Sequence, residues 1–145
     1  LVTTPDPHQR FKEINQAREN GLTLINAIHP TALIMEDAII GENVIMHARA
    51  LVGYRAEVFL GTIIDTGAQV DHHNVIKECV TIDPGVVTGG NVTIGRFTTV
   101  HTGTVIINRK RFGENSISGA GMVIIDDMPD NVTVVDVPGR IIKHR

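Results

Sequence analysis

The chain has 145 residues, 42% apolar, 20% charged and 3% aromatic, with a formal net charge of −3 and a single cysteine, Cys79. This describes one ordinary globular domain whose core must be built from Ile, Val, Leu and Ala rather than from large rings. Nucleic acid is excluded as a partner by the absence of a basic footprint, a membrane span by the lack of an apolar run near ~20 residues, and an internal disulfide by the cysteine count. With a start, "LVTTPDPHQRFKEINQ", that is no signal peptide, these features predict a cytoplasmic location.

In chain order, the first element is a short helix from about Asp6 to Asn20, with Phe11, Ile14 and Ala17 or Arg18 at i, i+3 spacing and Gly21 at the C′ position. "LTLINAIHP" then reads as a strand. From Ile28 a six-residue step visits Ile34, Ile40, Met46, Val52, Val58 and onward to Ile124, and every position but Thr88 and Ser118 is large and apolar. Four residues after each comes a column of mostly small side chains, Ala32, Ala38, Ala50, Ala56 and Ala68 among them. A period of six fits neither the 3.6 of a helix nor the 2 of a lone strand, but it suits a coil of short strands and tight turns. Three such sides make an 18-residue coil, and coils stack at the roughly 4.7–4.9 Å spacing of neighbouring strands. The large column fills the interior and the small column lets the corners turn. Gly41, Gly53, Gly61, Gly67, Gly85, Gly89, Gly90, Gly95, Gly103 and Gly113 lie off the interior column, and positive φ in turns is expected to account for most of them.

Stepping by 18 aligns Tyr54, His72, Gly90 and Asn108 in one column, and Arg55, His73, Asn91 and Arg109 in the next. His72 therefore sits beneath a glycine, where a missing side chain lets a ligand approach the backbone closely. A histidine on a turn is, taken alone, simply solvated.

The fragments "AIIGENVIMHA", "NVTIG" and "ISGAGMVIIDDMPDNVTVVDVPGR" resemble the hexapeptide-repeat acyltransferases. Within them the chain is most similar to the group that acetylates sialic acids or nucleotide-linked amino sugars of the bacillosamine type. The resemblance implies an all-β, left-handed parallel β-helix over residues 28–145. Residues 1–27 would then be a helix-strand remnant of an α/β nucleotide-sugar-binding domain, most of which the chain lacks. The left hand is implied by the resemblance alone, because parallel crossovers are normally right-handed.

The same resemblance implies an acetyl-CoA-dependent acetyltransferase, a homotrimer, acting on an amine or hydroxyl of a sugar or sugar nucleotide. His72 would be the general base, a role suited to imidazole, with His73 and Asp71 as its catalytic neighbours. His73 stands where the family usually has Asp or Glu to orient the base; Asp71 and Asp65 are the nearby substitutes. "VIKEC" lacks the usual glycine after Val-Ile, and Thr81 takes the place of a second His. For acetyl-CoA the candidates are Gly90, Gly119 and Gly121, through backbone N–H groups or close approach, and Arg140, Lys143 and Arg145, through phosphate. "VDVPGR" departs from the family's Gly-Asn-Pro-Ala at that point.

Two other readings stand beside this one. One is a non-catalytic β-helix, kept as a trimerisation scaffold after losing its donor or acceptor domain. The γ-type carbonic anhydrases use the same coil with a metal, and His29, His47 and His101 share an 18-residue column here with Asp65 and Asp83. His101, however, lies three coils above His47, some ~14 Å away, so that column makes no metal site.

Overall fold

The structure is a computed structural model and describes residues 1–144. Two-residue strands recur every six residues from Ala27–Ile28 to Val123–Ile124, and each pairs in parallel with the strand 18 residues away. The result is a three-sided β-solenoid of about six turns. We label its faces A (eight strands, beginning with Ala27–Ile28), B (six, beginning with Leu33–Ile34) and C (five, beginning with Ile39–Ile40). Alternation within each strand sends one side chain inward and one outward. From Met46 to Ile124 the inward column is buried, and most of the small column closes the interior corners behind it.

The column starts one coil later than its pattern suggests. Ile28 and Ile34 are 41% and 37% exposed, because no coil lies beneath them. At the other end the repeat shortens. Phe112 bridges to Met128, and Ile117 and Ser118 pair with Thr133 and Val134, a step of 16 residues instead of 18. The tail, Arg140–His144, then folds back antiparallel on Val132–Val135.

Every sixth residue from Asp37 to Gly121 takes a left-handed φ at a corner, and most of these residues are not glycine; His73, Cys79, Asn91 and Phe97 are among them. Of the ten glycines expected in turns, Gly61, Gly67, Gly85 and Gly103 have positive φ, but Gly41, Gly53, Gly89, Gly90, Gly95 and Gly113 do not. Close approach explains these instead. At Gly95, a Cβ would come within 2.4 Å of the Glu114 nitrogen on the coil above.

The helix α1 spans Pro7–Glu19. Asp6 caps it by accepting the Gln9 N–H at 2.7 Å, Pro7 fills its first turn, and Gly21 ends it at φ 73°. The "LTLIN" that follows forms no strand, and only Ala27–Ile28 of the expected segment pairs. The buried face also differs from its i, i+3 expectation. Ile14 is buried as expected, but the other fully buried residue is Arg10. Its guanidinium donates to the carbonyls of Thr4, Pro5 and Cys79 and to the Thr81 hydroxyl, which ties the N-terminal segment to the solenoid. Arg10→Ala would strand those buried carbonyls and is expected to cost about 3 kcal/mol or more. Limited proteolysis should then cut before residue 27 while the coil survives; uncut protein would deny Arg10 this role.

Burial pushes the Cys79 thiol above its usual pKa, against the pull of the Arg10 guanidinium, so Cys79 is a poor nucleophile.

Candidate active site

The corner between faces B and C in the third coil carries Asp71, His72 and His73, all exposed. It is braced from inside by two polar residues that break the apolar pattern. Thr88 interrupts the inward column and Asn74 the small column, and both are buried. Asn74 donates to the Thr88 hydroxyl and accepts the Val92 N–H at 2.7 Å. The Thr88 hydroxyl in turn accepts the Asp71 N–H at 3.0 Å and donates to the Gln69 carbonyl. An ordinary corner sends that N–H to a ladder carbonyl, as Gly53 does to Val70. Here the ladder opens, and face B keeps only the Val87–Gln69 pairing at this point. The sequence assigned no role to Thr88 or Asn74, although both were visible as polar interruptions of buried columns.

The His72 imidazole lies on Gly90. A Cβ at Gly90 would stand 2.2 Å from Cε1 and 2.3 Å from Nε2 of that ring. The glycine thus makes room for the His72 ring itself, not for a ligand arm above it. Nδ1 of His72 and Nδ1 of His73 are 3.0 Å apart, with the rings nearly perpendicular. His73 is held by its left-handed backbone and by the edge of Tyr54. When Nδ1 of His72 carries the hydrogen and donates it to His73, Nε2 is left with a lone pair and no hydrogen-bond partner among the described residues.

Neither aspartate orients this ring. Asp71 spends Oδ1 on the backbone N–H of His72 at 2.7 Å. Asp65 accepts the Thr66 N–H and faces His47 at 3.6 Å.

The other candidates lie elsewhere. Gly119 and Gly121 sit at the A/B corner, and their N–H groups already donate to the carbonyls of Val134 and Thr102. Arg140 and Lys143 are exposed on the antiparallel tail, opposite Val135 and Thr133. Arg145 lies outside the described residues. In the histidine column His101 pairs with Asp83 at 2.7 Å and His29 with Thr31. Among the described residues no group of three or more His, Cys, Asp or Glu side chains converges, and no helix is long and apolar enough to cross a membrane.

No family model matches the chain. Over 83 residues it is 34% identical to galactoside O-acetyltransferase from Escherichia coli, covering 57% of this chain and 37% of that one. Over 119 residues it is 32% identical to serine acetyltransferase from Bacillus subtilis, covering 79% and 46%. The chain thus spans less than half the length of these curated relatives. Among solved structures, a mutant of GDP-perosamine N-acetyltransferase from Caulobacter crescentus, in complex with CoA and GDP-perosamine, superposes with a TM-score of 0.95 at 31% identity, covering 97% of this chain and 67% of that one. The acetyltransferase domain of PglB from Neisseria gonorrhoeae, in complex with acetyl coenzyme A, gives a TM-score of 0.94 at 32% identity, covering 96% and 68%. With its unbroken six-residue frame and this agreement over two thirds of each solved chain, the protein belongs to the hexapeptide-repeat acyltransferase family.

Proposed function

We propose that the chain carries the acetyl-transfer site of an acetyl-CoA-dependent enzyme that modifies a sugar, with His72 as general base. The observation that carries this reading is the His72 ring seated on Gly90, with Nε2 free and Nδ1 against His73. In the proposed step an acceptor amine or hydroxyl attacks the thioester carbonyl while Nε2 of His72 takes its proton. The tetrahedral centre then collapses and releases the CoA thiolate. That proton stays on Nε2, and the positive charge it brings is stabilised by the Nδ1–H of His72 donating to the lone pair of His73, which fills the place of the family's carboxylate with a neutral acceptor. Asp71 holds the turn rather than the imidazole. The kinship with a GDP-perosamine N-acetyltransferase supports a nucleotide-linked amino sugar as acceptor; residues 1–27 would then be the end of the domain that holds it.

The working unit is proposed to be a trimer around face B. Its outer column is apolar at Leu33, Leu51, Val87, Val105 and Val123, broken only by Gln69, and Leu33 is 51% exposed. Packing three such faces about an axis sets the B/C corner of one copy beside the A/B corner of the next. That arrangement lines Gly119 and Gly121 of a neighbour along the facing corner, between two and three coils above His72, on the path an extended donor would take, and lets Arg140 meet a donor phosphate. A cytoplasmic location agrees with the lone buried thiol.

Calorimetric titration with acetyl-CoA, with free CoA and zinc as comparators, tests the reading. Saturable binding near one site per chain is the expected result. No heat at millimolar acetyl-CoA would leave the trimeric scaffold as the better account.

A further inference from the structure

The inward column has one other polar interruption, Ser118, and it braces a second histidine-bearing corner in the same way. The backbone N–H of His101 donates to the Ser118 hydroxyl at 2.8 Å, just as that of Asp71 donates to Thr88. Buried Thr104 lies 3.1 Å from the same hydroxyl, in the place that Asn74 takes below Thr88. The ladder opens here too, and face A keeps only the Thr99–Ile117 pairing between these strands. In a column that is otherwise apolar to Ile124, each polar exception therefore underlies a corner carrying an exposed or half-exposed imidazole. A buried hydroxyl in place of a methyl group is destabilising unless it is hydrogen-bonded. Within the inward column it is used at these two corners alone, which marks the second as built rather than incidental.

What stands on that corner is a better-oriented imidazole than His72. Nδ1 of His101 donates to Oδ2 of Asp83 at 2.7 Å, which fixes the tautomer and leaves Nε2 with no hydrogen-bond partner among the described residues. The pair borders a groove of about 450 Å3 on the outside of face A. Its floor is Thr81, Thr99 and Ile117, and Phe97 and the N-terminal segment at Pro5–His8 form the facing wall. The groove holds hydroxyls, an apolar patch and an aromatic ring. Its carboxylates, Asp83 and Asp6, disfavour an anion such as phosphate, and one imidazole with one carboxylate is too few ligands for zinc.

We propose that this groove is a second binding site, for a neutral hydroxyl-bearing ligand such as a hexose ring, in which Nε2 of His101 accepts a hydrogen bond from one hydroxyl while Asp83 holds the imidazole. The contact is a hydrogen bond only, with no covalent step. It makes no use of acetyl-CoA, so it stands or falls apart from acetyl transfer.

The test is nitrogen NMR of the imidazoles in the whole histidine-labelled protein, titrated separately with free N-acetylglucosamine, methyl glucoside and CoA. With either sugar, saturable shifts of the His101 resonances are expected, with those of His72 unmoved. His101→Gln should abolish the response of the groove amides of Thr81 and Thr99, and Asp83→Asn should weaken sugar binding several-fold with the amide spectrum otherwise intact. Three outcomes overturn the proposal: no saturable shift at His101 with either sugar, a sugar response confined to His72, or a His101 response to CoA alone.

Discussion

Replacing His72 with alanine is expected to lower the turnover of acetyl transfer by about 10²-fold or more while leaving the affinity for CoA nearly unchanged. The two effects separate because of where the side chain sits. The imidazole is exposed at a corner and makes a single hydrogen-bonding contact from its ring, to His73. Its removal leaves the turn intact, because the brace runs through the backbone N–H of Asp71, the Thr88 hydroxyl and Asn74. In the proposed mechanism what disappears is the acceptor for the proton that the attacking amine or hydroxyl must lose, a quantity felt in turnover and not in donor binding. Steady-state kinetics beside CoA titration would measure both, and a variant with undiminished turnover would remove His72 from the mechanism.

Gly90→Ala should be almost as damaging, for a different reason. Its Cβ would stand 2.2 Å from Cε1 and 2.3 Å from Nε2 of His72, so the ring must leave its seat. The atoms in the way belong to the end of an exposed side chain, and the backbone at Gly90 does not have a left-handed φ. Folding should therefore be little affected while turnover falls by about the same 10²-fold. Gly95→Ala is the contrast. There the obstructing atoms are Glu114 N at 2.4 Å and Glu114 Cα at 2.6 Å, backbone of the next coil. Overpacking against a ladder that cannot step aside is expected to cost about 1–3 kcal/mol or more of stability. If the seat is the cause, Gly90→Ala adds nothing to His72→Ala in a double-mutant cycle. Additive losses, or a melting temperature lowered as far as that of Gly95→Ala, would show that Gly90 serves the fold and not the base.

The coil was legible in the chain because a solenoid turns local spacing directly into contact. Once six residues make a side, residue 72 must lie below residue 90, and no long-range search is needed to find its neighbour. The same regularity exposed Thr88 and Ser118 as exceptions, although their meaning was not legible. A hydroxyl in a buried column announces a hydrogen bond but not its partner, and the partners are backbone N–H groups of corners 17 residues back. Periodicity was equally silent about ends. Ile28 and Ile34 obey the pattern and are exposed, and the last coil closes in 16 residues on a side that no six-residue step describes.

By itself, then, the amino-acid sequence determined the repeat and the stacking of His72 on Gly90, both consequences of side-chain alternation and a fixed period. The tertiary structure decided which acceptor each polar group chose. It gave Asp71 to the backbone of His72 and Asp65 to Thr66, left His73 as the hydrogen-bonding partner of the His72 ring among the described residues, buried Arg10 under the N-terminal segment, and paired His101 with Asp83. The physical reason is that apolar burial depends on position alone. A hydrogen bond also depends on rotamer and direction, and several acceptors at equal sequence spacing compete for each donor until the coils are stacked.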